Sequence, residues 1–218
     1  METQTAQCLD AIEHLPDGAT LVIHQFNWDD YEQLVEVLHR RRLRVTYDNG
    51  RLEIVSPSSK HEEYLAVIEA LVRILAEELS LRVQSYLGTT WKRRSLKKGV
   101  EADACYYVQN AHRVRGKGKI DLENEPPPDI AVEIDITNES STKFPIYAAV
   151  GVPEIWHYAP GVMRFFKLTG NSYSEIQESQ FFDGLIPTML ADALRHSQTE
   201  DQTSALQTFR KLWRECKK

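Results

Sequence analysis

The sequence predicts a single α/β domain, and three observations carry that prediction. A long amphipathic run, KHEEYLAVIEALVRILAEELS, has apolar residues at helical spacing. The middle of the chain is a succession of short β-prone segments broken by turn residues. The C-terminal third returns to helical patterning after further strands. With 218 residues, 42% of them hydrophobic, the chain is long enough for one core to organise. We assign residues 1–20 to an N-terminal extension, 21–198 to the domain and 199–218 to a polar C-terminal helix and tail.

In chain order, Asn27 caps a surface helix beginning WDDYEQLVEVLHRR. Asp29 and Asp30 suit its positive end, and Arg40, Arg41 and Arg42 its negative end. LRVTYDNGRLEIVSP follows, a β-hairpin whose Asp48, Asn49 and Gly50 accept the positive backbone angles of a tight turn. Ser58 or Ser59 caps the long helix, with Tyr64, Leu65, Ile68, Leu71, Val72, Leu75 and Leu79 on its apolar face. Strands are expected at RVQSYLG, TTWKRRS and VEADACYYV, then a basic loop, then DIAVEIDIT, approached through Pro126, Pro127 and Pro128. Pro145 suits the first turn of a short helix, PIYAAVG. The strands PEIWHYA and VMRFFKLTG are separated by a Pro160–Gly161 turn. One more strand and two helices complete the chain, with HSQTEDQTS read as a linker and the last polar helix as fraying.

Composition narrows the function classes. No run approaches the roughly 20 apolar residues of a membrane span, and the N-terminus lacks a basic start and an apolar core, so a soluble, cytoplasmic protein without a membrane partner is expected. Cys8, Cys105 and Cys216 are widely spaced and form neither a disulfide framework nor a thiolate zinc site. The net charge of −6 argues against gripping nucleic acid with the whole surface. Between positions 90 and 120, however, nine basic residues face only Glu101 and Asp103, a local excess of seven that leaves −13 elsewhere. That region is either a polyanion footprint or a pair of solvated loops.

The acids carry the chemistry. Alternation in DIAVEIDI puts Ile130, Val132, Ile134 and Ile136 on one face and Asp129, Ala131, Glu133 and Asp135 on the other. In VEADACYYV, read as one strand, Glu101, Asp103 and Cys105 share a side. Neighbouring acids repel unless a cation compensates, and carboxylates suit Mg²⁺ or Mn²⁺ better than Zn²⁺. His61, His112 and His157 are scattered and offer no ligand pair. From the residues alone, two solvated acidic faces are the readier account of the pattern, with metal binding the alternative.

The ordered set NGRLEIVSPSSKHEEY, GVEADACYYV and PPPDIAVEIDITNESSTKFPIYAAVGVPEIWHY resembles the Uma-type family, abundant in cyanobacteria, whose members are described as candidate endonucleases. The resemblance spans roughly residues 40 to 180. It implies the PD-(D/E)xK superfamily and its restriction-endonuclease-like core, a mixed central sheet flanked by helices, here with an additional antiparallel hairpin region. Carried over residue by residue, Asp103 takes the place of the first motif acid, Glu133 the second, and Lys143 a lysine displaced onto the following helix. Asp103 and Glu133 would then hold Mg²⁺ or Mn²⁺, Lys143 would orient the attacking water, and Asp135 or Glu62 would assist. His61 matches a histidine common in the family, and GVPEIW is read as structural.

Two departures stand out. Ala102 replaces the proline that usually precedes the first acid, and Asp135 occupies the usual lysine position, so catalysis depends on Lys143 reaching back. The expectation is a metal-dependent endonuclease acting on nucleic acid, DNA first, with Lys92, Arg93, Arg94, Arg113, Arg115 and Lys117 contacting phosphates. Many nucleases of this fold pair, so a homodimer is expected by analogy. The alternative is a catalytically inactive member serving as a nucleic-acid or protein binding module.

Overall fold

The computed structural model describes residues 4–38, 41, 43–118, 120–136 and 140–217. Arg40, Arg42 and Lys119 lie outside the described residues. Helix α1 (Gln4–Glu13) leads to strand β1 (Thr20–Ile23), α2 (Trp28–Leu38), β2 (Arg44–Asp48) and β3 (Arg51–Val55). The long helix α3 (Ser59–Glu78) is followed by β4 (Gln84–Leu87), β5 (Thr90–Arg93), β6 (Lys98–Glu101), β7 (Ala104–Tyr107) and a single turn, α4 (Ala111–Val114). Then come β8 (Ile130–Ile134), α5 (Phe144–Val150), β9 (Glu154–Ala159), β10 (Val162–Thr169), β11 (Ser172–Ile176), α6 (Pro187–Thr199) and α7 (Gln202–Cys216).

The strands form two sheets. The first is antiparallel, ordered β1-β3-β2-β6-β5. The second is ordered β11-β10-β9-β8-β7-β4 and is mixed, because β8 and β9 run parallel across the α5 crossover. This is the expected mixed sheet, and the antiparallel hairpin region is a full sheet rather than an appendage. At the β2–β3 turn, Asn49 and Gly50 take φ of +46° and +97° between the paired Asp48 and Arg51, the geometry of a two-residue hairpin. The hairpin is central to its sheet because β1 and β6 flank it.

Helix ends follow their capping residues. Asn27 Oδ1 accepts the Asp30 amide at 2.8 Å, and Ser58 Oγ accepts the His61 amide at 3.4 Å. Pro145 lies in the first turn of α5, and Gly151 ends it at φ +89°. Helix α2 is more than a surface helix: Trp28, Tyr31, Leu34, Val35 and Leu38 are buried against the first sheet.

Three expectations are corrected. VEADACYYV is not one strand, since the chain leaves the first sheet after Glu101 and joins the second at Ala104. The stretch HSQTEDQTS is mostly helix, broken only between Thr199 and Gln202. The last helix does not fray: α7 buries Ala205, Phe209 and Trp213, and Phe209 and Trp213 join the core formed by α3 and the second sheet. Its polar face gives a misleading signal because Arg210 and Arg214 reach Glu77 and Glu78 of α3 at 2.8 and 2.7 Å.

Both faces of the second sheet are covered. Ile130, Val132 and Ile134 point to the α3, α6 and α7 side, and Ala131 and Ile155 point to a second core with α5, Trp91 and Val100. All five residues of β8 are buried, which excludes the solvated acidic face. No helix among the described residues is long and apolar enough to cross a membrane.

Candidate active site

The passage of the chain between the two sheets builds the site. Asp103 sits just before β7, where its amide bonds to the Val132 carbonyl at 3.1 Å and its Oδ2 accepts the Ile134 amide at 2.8 Å. It is therefore locked beside the end of β8, where strand alternation turns Glu133 away from the α3 core. The two acids are 3% and 0% exposed, and both line one cleft of about 40 Å³ between the sheets.

Lys143 reaches back. It ends a short 3₁₀ turn before α5, is 5% exposed, and its Nζ lies 2.7 Å from Glu133 Oε2. The Tyr147 hydroxyl donates to Glu133 Oε1. Asp135 lines the same cleft, but its carboxylate is taken up: it accepts from the Ser140 hydroxyl at 2.6 Å and amide at 3.0 Å, and it faces His157 Nε2 at 2.6 Å. Asp135 thus ties Ser140 to His157 of β9, and the lysine that lines the cleft is Lys143. Glu62 stands at the rim, 3.7 Å from Arg44 and 3.6 Å from His61 Nδ1.

Sequence reasoning missed Arg44 and Tyr147. Arg44 comes from β2 in the other sheet and holds Asp103 Oδ1 at 3.2 Å through Nε. It is 59 positions from Asp103, so no local pattern joins them. Tyr147 lies four residues after Lys143, which on a helical turn puts both on one side, and that spacing was a usable signal. His61 Nε2 lies 2.9 Å from Asp103 Oδ2 and so contacts that acid directly.

Burial and charge set the protonation states. Burial alone would raise the Asp103 carboxyl. The His61 hydrogen bond and charge outweigh it, followed by Lys143 and Arg44, and hold the carboxyl well below the usual range. Burial pushes Glu133 up, against the pull of the Lys143 charge. Burial would lower the Lys143 amine, but the Glu133 and Asp103 carboxylates overcome it and keep the ammonium charged. Of the four carboxylates that line the cleft, Glu53 is paired with Arg51 at 2.5 Å and Asp135 with His157 at 2.6 Å, while Asp103 and Glu133 face the cleft's own cations, Arg44 and Lys143. Among the described residues, no three His, Cys, Asp or Glu side chains are grouped to hold a metal ion by themselves.

The basic region is mostly neutralised at home. Lys92 pairs with Glu32 at 3.1 Å, Arg94 with Asp29 at 2.7 Å and Glu32 at 2.6 Å, Arg113 with Glu125 at 3.5 Å, and Lys117 with Glu125. Arg93 donates to the Leu122 carbonyl at 2.8 Å. None of these, nor Arg115, lines the cleft.

Comparison with known proteins agrees with this architecture. A crystal structure at 1.96 Å from Anabaena variabilis, described as "a putative nuclease belonging to DUF820", is similar in fold, with a TM-score of 0.50 and 15% identity over 74% of this chain and 90% of that one. No curated protein matches the chain. The family Uma2, described as "Putative restriction endonuclease", matches residues 28–199, a span that holds the whole cleft. The chain belongs to the Uma2 family.

Proposed function

We propose that the chain is a Mg²⁺- or Mn²⁺-dependent nuclease that hydrolyses phosphodiester bonds of nucleic acid, DNA first. The observation that carries this reading is the buried constellation of Asp103, Glu133 and Lys143 in one cleft. The donor set fits a hard divalent ion. Asp103 and Glu133 offer carboxylate oxygens, while water and main-chain oxygen would fill the remaining positions, as such ions accept. When bound, the ion would polarise the phosphate and lower the pKa of a coordinated water.

This chain's own residues do the rest. Arg44 and His61 hold the Asp103 carboxylate ionised and fixed in orientation. Tyr147 fixes the orientation of the Glu133 carboxylate from the opposite oxygen to that held by Lys143. Lys143, charged and almost without solvent, is the cation that orients the attacking water and steadies charge developing on the phosphate. Asp135 acts as a positioning residue through Ser140 and His157.

Plasmid cleavage with Mn²⁺ or Mg²⁺ tests the reading. Asp103→Asn, Glu133→Gln and Lys143→Met should each lower the rate by about 10²-fold or more, and chelation should abolish it in the wild type. Full activity in correctly folded Asp103→Asn protein would sink the assignment. Metal-dependent thermal stabilisation without cleavage of any DNA or RNA would select the inactive binding module instead.

A further inference from the structure

We infer that a groove at the edge of the second sheet, centred on Arg82 and Arg115, anchors the phosphodiester backbone of a nucleic-acid strand at a distance from the cleft. The inference rests on the nuclease reading above and adds a second contact to it. Two cavities of about 420 and 250 Å³ adjoin here and share Arg82, Val83 and Arg115. They open beside β4, the outer strand of its sheet.

The smaller cavity contains no carboxylate; besides the two arginines its polar walls are Gln84, Gln109 and His112. The larger one contains Glu69 and Glu77, each of which is already paired with an arginine through one carboxylate oxygen. Glu69 is held by Arg73 at 2.6 Å and by Ser85 at 3.0 Å, and Glu77 by Arg210 at 2.8 Å. Arg82 and Arg115 make no ion pair or side-chain hydrogen bond among the described residues. Most basic residues of positions 92 to 117 are paired with acids, so Arg115 is set apart from its sequence neighbours and brought to Arg82 by the fold.

Two uncompensated guanidinium groups in a cavity that also carries the Gln84 and Gln109 amide donors match phosphate oxygens, which arginine can grip bidentately. A polymer fits better than a single anion because of where the groove lies. The first turn of α3 carries His61 into the cleft, and Ala76 near its other end lines the groove. The separation along the helix axis is about 22 Å at 1.5 Å per residue. Phosphates recur about every 3.4 Å along a duplex strand, so a strand cut in the cleft reaches the groove roughly six or more nucleotides away.

Fluorescence anisotropy with a labelled 30-nucleotide single strand and the matching duplex, in chelator so that no cleavage interferes, tests this on the full chain. The double variant Arg82→Gln/Arg115→Gln should bind about ten-fold more weakly. Its slope of log affinity against log salt should be shallower by about two, one for each lost phosphate contact. A charge-matched control, Lys97→Gln/Lys211→Gln, should bind as the wild type does. Wild-type affinity and slope in the arginine variant, or equal weakening in the control, would overturn the groove. So would displacement of the 30-mer by millimolar inorganic phosphate, which would mark a small-anion site. Plasmid cleavage by the wild type separates the two ideas: cleavage with an indifferent groove overturns only the groove, and groove-dependent binding without cleavage overturns only the nuclease.

Discussion

Lys143 and Glu133 each bury a unit charge, and their 2.7 Å contact is what makes both tolerable. Removing one partner of such a pair strands the other, at a cost of about 3–5 kcal/mol. Lys143→Met should therefore lower stability by about that amount, and the double variant Glu133→Gln/Lys143→Met should recover most of it, as read by urea unfolding of the four proteins in a double-mutant cycle. A cycle with no coupling would mean that solvent reaches the pair. Away from the cleft, Glu154 is an acceptor surrounded by donors: Trp156 Nε1 at 2.6 Å, Ser179 Oγ at 2.7 Å and the Gln180 amide at 2.7 Å. Glu154→Gln turns a donor towards donors, so it should cost about 1–3 kcal/mol in the same assay despite its nearly identical shape. Glu154 also explains one face of the GVPEIW segment as structural, since it secures the loop before α6.

Among the elements, the seating of α2 on the first sheet depends on the absence of one side chain. A Cβ at Gly99 of β6 would overlap the hydroxyl end of Tyr31, a fully buried ring stacked on Tyr47. Gly99→Ala should therefore destabilise by about 1–3 kcal/mol through overpacking. Gly99→Ala combined with Tyr31→Leu should be better tolerated, as thermal melting will report. The docking of α7 on α3 is pH-sensitive in a definite direction. The Arg214 hydrogen bond holds the Glu78 carboxyl below its ordinary value of 4.5. Its contribution is thus present above that value and is lost as pH falls through the lower folded value. Arg214→Gln should melt below the wild type at pH 7, and the gap should narrow as pH falls below 4.5 and close once the lowered folded value is passed. A gap independent of pH would assign the arginine's effect to packing of its stem.

For the whole molecule, the cleft exists because two sheets meet at Asp103, and neither sheet alone contains it. Arg44 belongs to the first sheet, and Glu133 and Asp135 to the second or its continuation. A divalent ion that binds only the native arrangement should raise the unfolding free energy by about 2.7 kcal/mol at a hundred times its dissociation constant. Mn²⁺ should therefore raise the melting temperature of the wild type and not that of Asp103→Asn. An equal rise in both would mean that the ion binds elsewhere.

Local pattern was enough to read the long helix, the Asn49–Gly50 hairpin, the Pro145 helix and the alternation that separates Glu133 from Ile134, because each depends on neighbours in sequence. The resemblance of the ordered motifs singled out Asp103, Glu133 and Lys143, and the fold places the three in one cleft. Pattern could not reveal that VEADACYYV breaks between two sheets, since both halves are β-prone and the break is imposed by strand partners far along the chain. Nor could it choose between a solvated and a buried acidic face, because alternation says which residues share a side and not what covers that side. The tertiary structure decided both, placing α5 over Glu133 and bringing Arg44 across 59 positions to Asp103. It also paired most of the basic region with acids from α2 and the Glu125 loop. Charge and burial are sums over everything nearby in space, so they became definite only when the chain had folded.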